Sequence, residues 1–172
     1  NPDIKAVVSY TGNWDDSAKG KELALVQYNA GADIVFQLAS NAGVGVFEAA
    51  KETGNLAIGS DTDQSLVFEE SDPEKAKTIL TSSLKRVDVS LLNAYELYKA
   101  GEMPYGTCEY LGLDKGCVGI VTNDNYYEHV SEEQAAAIDQ AKQDIIDGKI
   151  KVSSAYGMTS EDMDAFKAKY IQ

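Results

Sequence analysis

Short apolar runs alternate with longer amphipathic segments through residues 6 to 101, and this alternation restricts the chain to few folds. Each apolar run has the length of a strand, and the segments between them repeat apolar residues at helical spacing. Strands separated by helices need right-handed crossovers and therefore lie parallel in one sheet. The sequence predicts an α/β fold, a parallel sheet flanked by helices, with strands at residues 6–10, 34–38, 56–59 and 79–81.

The pattern changes after Gly101. Residues 107–111 and 117–121 are predicted to form a strand pair, and Ser131 begins a capping-box sequence before a longer helix. Ser160 is the predicted cap of a last short helix. We therefore expect an α/β lobe at residues 1–104, followed at 105–172 by a strand pair, a helix and a tail that complete the lobe or cross to another.

Composition excludes some classes of function. The chain has 172 residues, of which 44% are hydrophobic and 25% charged, as in an ordinary folded soluble domain. Its net charge of −13 is spread along the sequence without the clustered Lys and Arg that bind phosphate backbones, so nucleic acid is not an expected partner. Residues 1–5 show no apolar signal core, and no run approaches the roughly 20 apolar residues of a membrane span.

Residues for catalysis are few. The single histidine, His129, lies in a polar stretch without a serine or cysteine that it could activate. Cys108 and Cys117 can close a hairpin in an oxidising compartment, but the geometry of a disulfide is demanding and their pairing stays open. Residues 61–72 begin like a calcium loop and lack its central glycine and final glutamate. We expect no catalytic residue, metal site or cofactor. The alternative from another class of function is an α/β enzyme in which Asp61 or Asp63 acts as general base.

The sequence supports ligand binding better than catalysis. Ligands of open parallel sheets bind at the carboxyl ends of the strands, which here selects the loops at residues 11–17, 39–43, 60–65 and 82–85. Trp14 offers a flat face on which a base can stack, and the alternative is a ring folded back on the helix.

Charged groups occupy two of these loops. Asp61 and Asp63 can accept hydrogen bonds from sugar hydroxyls, although either can instead cap a turn. Lys85 is predicted at the start of a helix, where the helix dipole does not favour a cation. It is therefore held by a ligand or by a neighbouring aspartate, unless it is simply solvated.

Six segments together resemble the basic membrane lipoprotein family, also called PnrA-like. They are VVSYTGNWDD (7–16), AKGK (18–21), QYNAGADIVFQ (27–37), GVFEAAK (45–51), IGSDTDQ (58–64) and TSSLKRVD (81–88). The blocks occur in the family's order across residues 5–90, and a weaker likeness continues through residues 107–152. This ordered set is far more specific than any one motif.

The resemblance implies the carboxy-terminal lobe of a type I periplasmic-binding-protein-like fold. Such a protein is lipid-anchored or periplasmic and captures purine nucleosides for an ABC permease and ATPase. The family's stacking aromatic, often Phe, matches Trp14, and its ribose-binding aspartate and lysine match Asp61 and Lys85. Ser40 or Asn41 stands where the family commonly has a glycine near the ligand, which leaves the base preference open.

The resemblance also implies an amino-terminal lobe before Asn1 that supplies the second stacking aromatic. We expect this chain to be a fragment with half of the cleft, to bind nucleosides weakly by itself, and to expose surface through which it can self-associate. A ligand-sensing or regulatory protein of the same fold is the alternative to a transport role.

Overall fold

The structure, a computed structural model, describes residues 4–171. Four strands and eight α-helices form within that range, with short 3-10 turns at Ser40–Gly43 and Leu113–Lys115. In chain order they are α1 (Ser17–Asn29), β1 (Ile34–Phe36), α2 (Val44–Thr53), β2 (Leu56–Asp61), α3 (Ser65–Phe68), α4 (Pro73–Lys77), β3 (Ile79–Lys85), α5 (Val87–Ala100), β4 (Val118–Ile120), α6 (Asp124–His129), α7 (Glu132–Ile146) and α8 (Ser160–Tyr170).

The four strands form one sheet in the order β1-β2-β3-β4. β1 pairs with β2 and β2 with β3 in parallel, whereas β4 runs antiparallel to β3. The α/β class and the parallel sheet flanked by helices are therefore confirmed. Because β1, β2 and β3 are parallel, their carboxyl ends lie along one edge of the molecule, at which three of the four predicted binding loops lie, those at 39–43, 60–65 and 82–85.

The core lies between this sheet and helices α1 and α2. Phe47 is fully buried and meets the ring of Phe68 edge-on at a centroid distance of 5.8 Å. The Tyr28 hydroxyl donates to the Leu56 carbonyl at 2.8 Å, and burial raises the pKa of this phenol. α1 lies close to the turn that precedes α2 because Gly20 leaves room for the Ala42 carbonyl, which an added Cβ would overlap.

Several helix ends form as predicted. Gly54 and Gly101 adopt the left-handed conformation after α2 and α5, and Ser131 forms a capping box with Gln134 before α7. The prediction for the last helix is wrong by one residue. Thr159 caps α8 through its hydroxyl, and Ser160 is the first helical residue.

The strand predicted at residues 6–10 is wrong. Only Ala6 makes a bridge, to Ile171, and Val7, Val8 and Tyr10 are 46–72% exposed. A strand requires a neighbour, and β1 is paired with β2 alone among the described strands. The segment instead contacts helices, since Gln27 donates to the Ser9 hydroxyl at 3.1 Å.

The predicted strand pair near the carboxyl end is also wrong. Residues 107–111 form no regular structure, and β4 takes its partner from β3, with Val118 opposite Lys85. The physical reason is that the outer edge of β3 offers an unfilled ladder of backbone groups. The strand predicted at 79–81 continues to Lys85. A domain boundary at 104/105 stays a prediction, although β4 joins the sheet of the preceding lobe.

Candidate functional site: the carboxyl edge of the sheet

The candidate site is the edge formed by the loop at residues 11–17, the turn at 39–43, and the ends of β2 and β3. We call this surface the ligand edge. It carries five of the six residues predicted to bind ligand, namely Trp14, Ser40, Asn41, Asp61 and Lys85, all of them exposed.

The loop that carries Trp14 is held by its own polar groups. The Asn13 side-chain oxygen accepts the amides of Asp15 at 3.0 Å and Asp16 at 2.8 Å, and Asp16 caps α1. The Trp14 side chain is left outside this turn, with 66% of the residue exposed. Since a ring packed as a lid on α1 would be largely covered, the structure presents an open face for stacking.

The Trp14 loop is joined to the turn after β1. The Ala42 amide donates to the Trp14 carbonyl at 2.9 Å, and the Asn41 side-chain amide donates to Asp15 at 3.3 Å. Ser40 lies in this turn with a φ of 54°, in the left-handed region that few non-glycine residues adopt. The stacking candidate and the two turn candidates are therefore parts of one connected surface.

Asp61 and Lys85 form a pair at the adjoining ends of β2 and β3. Lys85 Nζ lies 2.8 Å from Asp61 Oδ1, and both side chains are about three-fifths exposed, at 64% and 59%. The sequence allowed a ligand, a neighbouring aspartate or solvent as the partner of Lys85, and in the structure that partner is the aspartate. Lys85 ends β3 and does not begin α5, so the helix-dipole argument does not apply to it. Asp61, at φ 70°, is left-handed like Ser40.

The carboxylate of Asp63 is hydrogen-bonded to residues other than this pair. Its carboxylate accepts from the Ser65 amide at 3.1 Å, the Ser65 hydroxyl at 2.6 Å and the Asn123 side chain at 3.1 Å. These bonds connect the start of α3 with the cap of α6. The structure therefore places Asp63 as a turn-forming residue, which is the alternative considered from the sequence.

A buried polar cluster beneath the ligand edge was missed by the sequence analysis. It consists of Gln37, Ser60, Gln64 and Ser82, and Gln37 and Ser82 are 3% and 0% exposed. One signal was available in the sequence, since Gln37 interrupts the apolar run between Phe36 and Leu38. A buried amide has to be hydrogen-bonded, which marks such a position as a structural or functional link.

The structure also bears on the other chemistry considered. Within residues 4–171 no group of three or more His, Cys, Asp or Glu residues could hold a metal ion, and no helix is both long and apolar enough to span a membrane. Cys108 is exposed and Cys117 buried, and both are free thiols. His129 is exposed at the end of α6, away from the ligand edge.

Comparison with known proteins identifies the family. The sequence profile of the PnrA-like ABC transporter substrate-binding proteins, Bmp, matches residues 1–156. The chain belongs to this family.

Two relatives illustrate what the Bmp family contains. The chain is 34% identical over 162 residues to the ABC transporter nucleoside-binding protein BmpA of Lactococcus lactis, covering 88% of this chain and 45% of the relative. It is 36% identical over 126 residues to the transcriptional activator protein med of Bacillus subtilis, covering 71% and 36%. The chain thus spans less than half the length of the curated relatives it matches, at 43–45% for the first of them.

A solved structure shares the fold. An ABC transporter solute-binding protein from Aeropyrum pernix K1 superposes with a TM-score of 0.73 at 26% identity, over 97% of this chain and 52% of that chain. The fold of this Bmp family member is therefore that of part of a periplasmic-binding-protein-like solute-binding protein.

Proposed function

We propose that this chain forms one side of the ligand cleft of an ABC transporter substrate-binding protein whose ligand is a purine nucleoside. The observation that carries the proposal is the ligand edge, on which an exposed indole accompanies a carboxylate–ammonium pair at the ends of two neighbouring strands. The nucleoside-binding relative BmpA supports the ligand class.

Each group has a role that suits its chemistry. The Trp14 ring stacks on one face of the purine, a contact worth about 1–3 kcal/mol per base. Asp61 accepts hydrogen bonds from the ribose hydroxyls, and Lys85 Nζ donates to a ribose oxygen while it keeps Asp61 ionised and oriented. Ser40 and Asn41 lie between these groups along the edge and contact the base or the sugar.

The complete cleft needs a second lobe. In the proposed protein that lobe supplies the opposing aromatic, and closure of the two lobes excludes water from the nucleoside. The closed form then delivers its ligand to an ABC permease and ATPase from an extracytoplasmic position, either lipid-anchored or periplasmic. A purine nucleoside bound by this chain alone keeps one face in water, so the affinity of the single lobe is low.

A second candidate function is ligand sensing in transcriptional control. The relative med of Bacillus subtilis, a transcriptional activator, favours this reading. Both functions use the same ligand edge, and they differ in the partner that recognises the ligand-bound protein. A transport partner is a permease in the membrane, whereas a regulatory partner is a component of gene expression.

Calorimetric titration of inosine, guanosine and adenosine into the longer protein that contains both lobes tests the proposal. We expect one or more of these nucleosides to bind, and Trp14→Ala and Asp61→Ala each to weaken binding by at least about tenfold, which corresponds to 1.4 kcal/mol. Tyr105→Ala is the matched control for Trp14→Ala, because Tyr105 is an aromatic residue with 76% exposure outside the ligand edge.

Two results would contradict the proposal. One is that the two-lobed protein binds no nucleoside. The other is that Trp14→Ala and Asp61→Ala bind as tightly as Tyr105→Ala. Nucleoside uptake by cells then distinguishes transport from sensing. Deletion of the gene should lower uptake if the protein serves transport, and should leave uptake unchanged if it serves sensing.

A further inference from the structure

We propose that Gln37 and Gln64 are positioning residues of the ligand edge, which hold Ser40 and Asp61 in the backbone conformations that present them to the ligand. The ligand part of this inference rests on the proposed function. Neither side chain is itself placed at the ligand. Gln37 is 3% exposed and lies below the turn at 39–43, and the side-chain oxygen of Gln64 accepts from Gln37 and from the Ser60 amide.

The first observation is the backbone conformation of two candidate residues. Ser40 and Asp61 are the only non-glycine residues with positive φ that the structure describes, at 54° and 70°. Both lie at the ligand edge, Asp61 as the last residue of β2 and Ser40 in the turn that follows β1. Left-handed backbone is unfavourable for residues with a Cβ and persists only where surrounding contacts impose it.

The second observation is a hydrogen-bond network that links the two turns. Gln37 Oε1 accepts the Ala39 amide at 3.1 Å, directly before Ser40. Gln37 Nε2 donates to Gln64 Oε1 at 2.5 Å and to the Ser60 hydroxyl at 3.1 Å. One buried amide thereby ties the turn after β1 to the end of β2.

Gln64 completes the link from the other side. Its Oε1 also accepts the Ser60 amide at 3.0 Å, directly before Asp61, and its backbone amide donates to the fully buried Ser82 hydroxyl at 3.2 Å. Each glutamine thus binds the backbone amide of the residue that precedes a left-handed residue. The two side chains join the segments that follow β1 and end β2, and the Gln64 backbone amide adds the link to β3.

Two glycines leave space for the network. A Cβ at Gly43 would overlap the Gln37 carboxamide, and a Cβ at Gly59 would approach the Ser82 hydroxyl and Gln64 too closely. Gly43 and Gly59 therefore leave the space that the side chains of Gln37 and Gln64 occupy, and a larger residue at either position would displace them. A network required only for stability would not need to reach the residues directly before both left-handed positions.

The test combines a conformational readout with an affinity readout. Gln37→Met and Gln64→Met preserve side-chain length and remove the amide, whereas Gln64→Glu keeps an acceptor oxygen for Gln37 and Ser60. The matched control is Asn125→Leu, because Asn125 is another partly buried amide that donates to two carbonyls, those of Ala76 and Ile79, outside the ligand edge.

NMR of this chain reports the backbone directly. We expect the strong intraresidue amide-to-Hα contacts of Ser40 and Asp61 to weaken in both Met variants, and to persist in Asn125→Leu and Gln64→Glu. Retention of both left-handed residues in a folded Met variant overturns the proposal. This readout needs no ligand, so it is decided separately from the proposed function.

Inosine titration of the two-lobed protein supplies the second readout. We expect both Met variants to bind at least about tenfold more weakly, and Gln64→Glu to recover most of the loss. Asn125→Leu, compared at the same margin below its unfolding temperature, binds like the wild type. An equal loss in Asn125→Leu overturns a specific positioning role, because general destabilisation then explains the effect.

Discussion

The ammonium group of Lys85 lies 2.8 Å from the carboxylate of Asp61, across the adjoining ends of two parallel strands. Exposed ion pairs of this kind contribute little to stability, because water competes for both charges. The pair can therefore exchange its solvent contacts for ligand contacts at small cost. This relationship leads to the first prediction.

Lys85→Met should weaken nucleoside binding by the two-lobed protein while leaving its unfolding temperature nearly unchanged. The loss has two sources, the lysine's own contact and the orientation of Asp61. Lys77→Met is the control, since Lys77 and Glu74 form a pair of similar length, 2.9 Å, and similar exposure outside the ligand edge. Equal affinity of the two variants in calorimetry would argue against a ligand role for Lys85.

Acid should remove a stabilising contribution of Asp72. The hydrogen bond from Lys51, at 2.7 Å, is the main cause that lowers the pKa of this carboxyl below its usual value. A lowered folded-state pKa means that the contribution is complete above the unfolded pKa of about 4, and is lost as the pH falls through the folded value. Thermal unfolding between pH 7 and pH 2 should therefore show wild type and Asp72→Asn converging in acid. A constant difference across this range would contradict the assignment.

Gly20→Ala should destabilise the chain by about 1–3 kcal/mol, the usual cost of overpacking a close contact. The new Cβ would overlap the Ala42 carbonyl and push α1 away from the turn that precedes α2. Gly119→Ala is the control, because nothing lies within 4 Å of a Cβ built there. Urea unfolding measures both. Equal stabilities would show that the contact between α1 and the Ala42 carbonyl has room for a methyl group.

One thiol should react in the native chain and two after denaturation. Cys108 is exposed, whereas Cys117 is 3% exposed and its sulfur accepts the Asn93 side-chain amide at 3.4 Å. Titration with a thiol reagent counts the accessible groups, and Cys108→Ser should abolish the native reaction. If neither thiol reacts until a reductant is added, the two cysteines form a disulfide.

The class of fold could be predicted because strand and helix periods are local properties of the sequence. The runs at 34–38 and 56–59 and the glycines that end α2 and α5 carry that information in themselves. Pairing is not local. Residues 6–10 and 107–111 have suitable strand composition, but a strand also has to be brought alongside a neighbour in register, and periodicity does not specify that placement.

The candidate site shows the same division. Trp14, Asp61 and Lys85 follow from the rule that ligands bind beyond strand ends, together with the resemblance to the family. The ion pair of Asp61 and Lys85 depends on the parallel register of β2 and β3, which the sequence does not supply. Gln37 and Gln64 were missed because their importance lies in a hydrogen bond across 27 positions of the chain.

The close contact between α1 and the turn at 39–43 affects how this surface can diversify. The Trp14 loop is fastened to the turn at 39–43, and Gly20 holds the helix behind that loop against the same turn. A backbone shift in the Trp14 loop would require a matching shift in the turn at 39–43, so gradual change of the backbone is disfavoured here. New ligand preferences, in evolution or in engineering, are therefore most accessible through side-chain exchanges at the exposed tips, at Trp14, Ser40 and Asn41.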